Sequence, residues 1–135
     1  MNRNELWLTR LLRLGGVITG SAVFTLFLPE AWMASTHRAL GLGEFPAAPI
    51  TGYLARSVSA MYAYHGALLL ALSTDVRRHL RAIRWLGWAT LAMGLALIGI
   101  DLKAGLPSWW LLLEGPWVAA IGVVIVLLCR RVDAS

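Results

Sequence analysis

Residues 109–129 read WWLLLEGPWVAAIGVVIVLLC. One charge, Glu114, interrupts these 21 residues of otherwise apolar or small side chains. At a rise of about 1.5 Å per residue, such a helix covers about 31 Å, the thickness of a bilayer's hydrocarbon core. Residues 6–28, 53–73 and 83–101 have the same character. The whole chain agrees with them: 59% of its 135 residues are hydrophobic and 14% are charged. A soluble domain of this size leaves too much surface in water to tolerate that composition, and disordered chains are polar and charged instead. The expected fold is therefore all-α, a bundle of four transmembrane helices forming a single integral membrane domain over residues 1–135. The first stretch reads as a retained span and not as a cleaved leader. Its run stays apolar beyond Ser21 and Ala22, through Phe24, Leu26, Phe27 and Leu28.

Residues 29–40 predict a short helix lying along the outer surface. Pro29 suits a first turn, Glu30 suits the positive end of a helix, and Gly41 can close it. Trp32, Met33, Thr36 and Leu40 fall on one side, while Glu30, Ser35, His37 and Arg38 can face water or headgroups. Gly41 to Pro46 then turn the chain back. Basic residues orient the whole. Arg3, Arg10, Arg13, Arg77, Arg78, Arg81, Arg84, Arg130 and Arg131 flank one side, and Arg38, Arg56 and Lys103 the other. That asymmetry predicts both termini in the cytoplasm. The net charge of +5 is concentrated at these boundaries, so no nucleic-acid partner is expected; the bilayer is the first partner.

Small residues mark where membrane helices approach one another. The candidates are Gly16 and Gly20 in the first span, Ser59, Ala63 and Ala67 in the second, and Gly115, Ala119 and Gly122 in the fourth. Arg56 falls among the second-span set. Asp101 shares a face with Gly87, Thr90, Gly94 and Leu97, and Glu114 borders the Gly115/Gly122 face. A charge within the membrane costs about 2.5–3.5 kcal/mol on insertion scales, and it usually faces the bundle and pairs. Arg56, with its planar fork, is thus expected within reach of Asp101, Glu114 or both. The cluster has two readings. It is a salt bridge pinning helices, or it is an outward-opening polar pocket, lined also by Tyr53, Ser59, Trp110 and Trp117, for a proton, an ion or a small headgroup. Pro116 should bend the fourth span.

His65 projects away from Arg56, beside Val58, Met61 and Leu69, and is a candidate contact for a partner subunit or a partner's pigment. A haem held by two histidines would need a second membrane histidine, but His37 and His79 lie at opposite surfaces. Cys129 stands alone and reads as a small apolar boundary residue. No Walker loop, dinucleotide fingerprint, metal motif or nucleophile elbow occurs, so no resident metal or cofactor is expected.

The stretch LGLGEFPAAPITGYLARSVSAMYAYHG, residues 40–66, with the acidic end of the third span and the EGP of the fourth, resembles small four-helix DoxX-like membrane proteins of bacteria. The resemblance implies an inner-membrane location and a four-helix layout. Some DoxX-like proteins are linked to quinone-coupled sulfur oxidation, but no catalytic position carries over onto this chain. The favoured expectation is a non-enzymatic scaffold or accessory subunit, in a homo-oligomer or a larger membrane complex. The alternatives are a small-solute or proton-coupled transporter using Glu114, and a quinone- or lipid-binding subunit of a redox complex.

Overall fold

The computed structural model describes residues 2–134. It is helical throughout its regular structure: α1 (Arg3–Gly20) continuing as a 3-10 helix (Ser21–Phe27), α2 (Glu30–Ala39), α3 (Pro49–Leu72), α4 (Leu80–Ala104), α5 (Ser108–Leu113) and α6 (Gly115–Asp133). Three helical stretches among the described residues are long and apolar enough to cross a membrane: Arg3–Phe27, Leu80–Ala104 and Ser108–Asp133. Of the four expected spans, α3 is the one outside that set. Its 24 residues give about 36 Å of helix, so length is not the reason. Arg56, Ser57, Ser59, Tyr62, Tyr64 and His65 make it too polar.

Each boundary has a local cause. Asn2 opens α1 through a reciprocal cap: Glu5 N–H donates to Asn2 Oδ1 at 2.9 Å, and Asn2 N–H donates to Glu5 Oε2 at 3.2 Å. Pro29 ends the run that began there, since the residue before a proline is pushed out of the helical region; Leu28 is extended at ψ 134°. Pro29 then serves as the N-cap of α2, and α2 stops at Gly41, whose φ of +72° suits glycine. A helix thus stands where the surface helix over residues 29–40 is expected, as Glu30–Ala39 between those two caps. Pro49 starts α3 four residues ahead of the expected position, at a first turn where a missing N–H costs nothing. The expected bend in the last span is a full interruption. Glu114, at φ −81° and ψ −75°, separates α5 from α6, and Pro116 lies in the first turn of α6.

The chain divides into two compact units. The first comprises the start of α1 up to Leu11 together with everything from Leu72 onward. Within it, α4 and α6 run antiparallel and touch almost backbone to backbone. A Cβ on Gly94 would fall on the backbone of Ala119, and one on Gly122 on that of Leu91. A Cβ on Gly87 would come within 2.9 Å of both Ile125 and Val126. The buried seam repeats every seven residues on each helix, as Gly87, Gly94 and Asp101 against Gly115, Gly122 and Cys129. A seven-residue period is the signature of left-handed helix pairing. Leu8, Ile83, Cys129 and Val132 are the best-buried apolar side chains of this unit. Two ion pairs sit near them, Glu5 with Arg77 and Arg84 with Asp133, the latter at 2.7 Å.

The second unit comprises residues 12–71. Here Gly66 of α3 presses on Gly20 and on the carbonyl of Gly16 in α1, leaving no room for any side chain. The buried face of α3 is Gly52, Ser59, Gly66 and Leu69. This differs from the expected Ser59, Ala63 and Ala67 stripe, for Ala63 is half-buried and Ala67 exposed. The reason is the period. A seven-residue seam runs Gly52–Ser59–Gly66, and glycine admits a closer backbone approach than alanine does. Ser59 meets its own need inside the helix, its hydroxyl donating to the Ala55 carbonyl at 2.8 Å.

Candidate functional site

The second unit builds a charged pair where α1, α2 and α3 begin and end. Leu28 closes the first helical run, Glu30 opens α2, and Gly52 and Arg56 lie in the first two turns of α3. The loop between α2 and α3 is folded back onto α2. Arg38 donates to Glu44 through Nε at 3.0 Å and Nη2 at 2.8 Å. His37 Nδ1 lies 3.0 Å from the Gly43 carbonyl oxygen, and the His37 ring meets Phe45 edge-on at 5.6 Å. With the loop held so, the start of α3 returns beside the start of α2. Arg56 Nη1 then stands 3.5 Å from Glu30 Oε1. Its other contacts are the carbonyls of Gly52 at 3.4 Å and Leu28 at 3.3 Å. A groove of about 410 Å³ opens alongside, lined by α2, the returning loop and Gly52, with Glu30 at its rim.

Arg56, expected within reach of Asp101, Glu114 or both, meets within its own unit a different carboxylate, Glu30, one that the periodicity of α2 turns toward water. Glu30 lies 26 positions away in sequence and on a different helix. The signal that could have found it is Gly52. A glycine in the first turn of an otherwise regular helix asks what comes close to it, and a Cβ there would lie 2.7 Å from Glu30 Oε1 and 3.0 Å from Arg56 Nη1. Tyr53, expected to line the pocket, is exposed, and Ser59 is buried in the seam.

The other expected site residues belong to the first unit. Asp101 is 2% exposed, at the end of the Gly87–Gly94 seam, and its Oδ2 is buried without a hydrogen-bond partner. Its backbone carbonyl closes α4, accepting from Gly105 N–H and Leu106 N–H. Glu114 sits at the α5–α6 break and accepts a hydrogen bond from Trp110 Nε1, while Trp110 packs edge-on against Trp109 at 5.4 Å. Trp117 is exposed. Among the described residues, no three His, Cys, Asp or Glu side chains come together in a way that could hold a metal ion.

His65 is half-buried, next in sequence to the tightly packed Gly66. Val58 and Met61, which share its side of α3, are exposed, whereas Leu69 is buried. His65→Leu is expected to leave the folded chain intact, because the imidazole is only half-buried and Val58 and Met61 on its side are exposed. Size-exclusion and thermal-melting profiles of the purified variant check this. A melting point many degrees lower would place the ring inside the helix contact.

No protein-family model, curated protein or solved structure matches this chain. The functional reading therefore rests on the geometry alone.

Proposed function

We propose that this chain is a four-span inner-membrane protein with both termini in the cytoplasm, and that it acts as a non-enzymatic scaffold or accessory subunit. Charge supports the fourth crossing. If α3 failed to cross, three spans would leave the amino- and carboxyl-terminal arginines on opposite sides, and with the amino terminus inside, Arg77, Arg78, Arg81 and Arg84 would be translocated as well. Both arrangements go against the tendency of Lys and Arg to stay inside. Arg56 does not bar the crossing. It stands within two turns of the outer end of α3, where a long side chain can reach the interface. Reporter fusions placed before α1, in the loop between α3 and α4 and after α6 are expected to show all three in the cytoplasm. Any one of them on the outside would remove the fourth span.

One observation carries the scaffold reading: the α4–α6 seam. Gly87, Gly94, Gly115 and Gly122 bring α4 and α6 almost backbone to backbone. The outer faces of the same helices carry large side chains, including Met93, Leu95, Ile100, Leu102 and Trp117, all more than half exposed. A closely packed pair with a bulky apolar exterior suits docking of another membrane helix. Glu114, the carboxylate a transporter would use, is engaged by Trp110 within the same unit. A photo-crosslinking amino acid at Leu95 or Trp117, activated in native membranes, is expected to give one discrete protein adduct. Lipid adducts alone at both positions would sink the scaffold reading.

A further inference from the structure

The Glu30–Arg56 pair is built loosely although the fold can build such pairs well. Arg38 and Glu44, in the same unit, form a two-pronged fork at 2.8 and 3.0 Å. Arg56 instead has three oxygens at 3.3, 3.4 and 3.5 Å. Ordinary N–H to oxygen bonds are about 2.7–3.2 Å, and charged ones sit at the short end of that range. The guanidinium fork is therefore held in place but not used at full strength. Gly52 keeps the space around it open, since a Cβ would press on both Glu30 Oε1 and Arg56 Nη1. Beside the pair lies the 410 Å³ groove, with Glu30 as its charged lining residue and Ala31, Ala34, Phe45 and Pro46 along its wall. Glu30 stands three residues beyond Phe27, the last residue of a helix long and apolar enough to cross a membrane. A charge pair at that position meets lipid headgroups.

We propose that the part-exposed Glu30–Arg56 pair, at the edge of this groove, binds the headgroup of an amino-phospholipid, with the phosphate on Arg56 and the primary ammonium on Glu30. The glycerol and first methylenes would lie along the alanine, proline and phenylalanine wall. A headgroup that carries both charges replaces one stretched ion pair with two short, charge-assisted contacts, and neither protein charge is left alone. A purely anionic headgroup leaves its phosphate next to an unpaired Glu30 carboxylate. A choline headgroup brings a positive charge with no N–H to donate. The site therefore selects ethanolamine over glycerol and choline headgroups. The assignment rests on the reading of Arg3–Phe27 as a membrane span and not on the scaffold role.

The test uses the purified full chain, stripped of lipid in detergent. It is titrated with phosphatidylethanolamine, phosphatidylglycerol and phosphatidylcholine of identical acyl chains, and bound lipid is counted by native mass spectrometry. Phosphatidylethanolamine is expected to bind about tenfold more tightly than either of the others. Glu30→Gln changes a side chain that is 67% exposed and so leaves the fold standing. It should weaken phosphatidylethanolamine and strengthen phosphatidylglycerol until the preference is gone. Gly52→Ala, which removes no charge, should weaken phosphatidylethanolamine by crowding the pair. Equal retention of all three lipids by the unaltered chain would overturn the proposal, as would an ethanolamine preference that survives Glu30→Gln. Soluble phosphoethanolamine binding as tightly as the lipid would overturn the assignment to a membrane lipid.

Discussion

Gly94→Leu is expected to leave little folded protein, whereas Gly99→Leu, five residues on in the same helix, should be tolerated. At Gly94 even the first carbon of a side chain would fall on the backbone of Ala119, which cannot swing aside as a flexible side chain can. The whole of α6 would have to move, and the neighbouring contacts at Gly87, Gly115 and Gly122 would open with it. Overpacking a core usually costs about 1–3 kcal/mol. Here the obstacle is main chain on both sides, so the cost should lie at or above the top of that range. At Gly99 nothing lies within 4 Å of the added carbon. Leucine there also improves helix propensity, by roughly 0.8–1 kcal/mol relative to glycine in water. The two variants carry the same substitution on one helix, so expression, insertion and hydrophobicity are matched. Monodisperse yield from detergent extraction and the thermal midpoint are the measurements. Equal yields for the two variants would show that α4 and α6 do not meet through this seam.

Asp101→Leu is expected to make the chain more stable, and this is the less intuitive result. The Asp101 carboxyl is 2% exposed and its Oδ2 has no hydrogen-bond partner. A buried polar atom left unsatisfied costs about 1–3 kcal/mol, and replacing it with an apolar group removes that cost. Asp101 lies at the end of the seam, one heptad beyond Gly94 and next to the exposed end of α4, so leucine meets less resistance there than at Gly94. Asp101→Asn keeps polar atoms in the same place and should gain less. The expected order of thermal midpoints is Leu above Asn, with the unaltered chain at or below Asn. The reverse order would mean that a cation meets this carboxylate and that the charge stabilises the fold.

The helical fold class was legible because the bilayer imposes it. A chain with this much apolar surface and no alternating strand pattern has few ways to satisfy its backbone in hydrocarbon. Pro29 and Gly41 each marked a boundary through local sterics alone, so the helix over Glu30–Ala39 needed no tertiary information, whereas Pro116 signalled a bend and the structure has a full break at Glu114. The glycines of α4 and α6 were readable as a contact face for the same local reason. The second span was harder. A four-residue alanine stripe and a seven-residue Gly52–Ser59–Gly66 seam coexist on α3, and sequence alone weights them alike. What separates them is the partner, since only Gly20 and Gly16 of α1 decide that Gly66 must carry no side chain. The pairing of Arg56 shows the same limit. Which carboxylate comes near a guanidinium depends on how the loop after α2 returns. That path is held by Arg38 on Glu44 and His37 on Gly43, contacts between a helix and a loop that has no periodicity to read. Composition and local sterics determined that this protein is helical, apolar enough for a membrane, and where its helices stop. Tertiary structure alone decided which face of each helix is buried and which opposite charges meet, because those depend on distances between segments far apart in the chain.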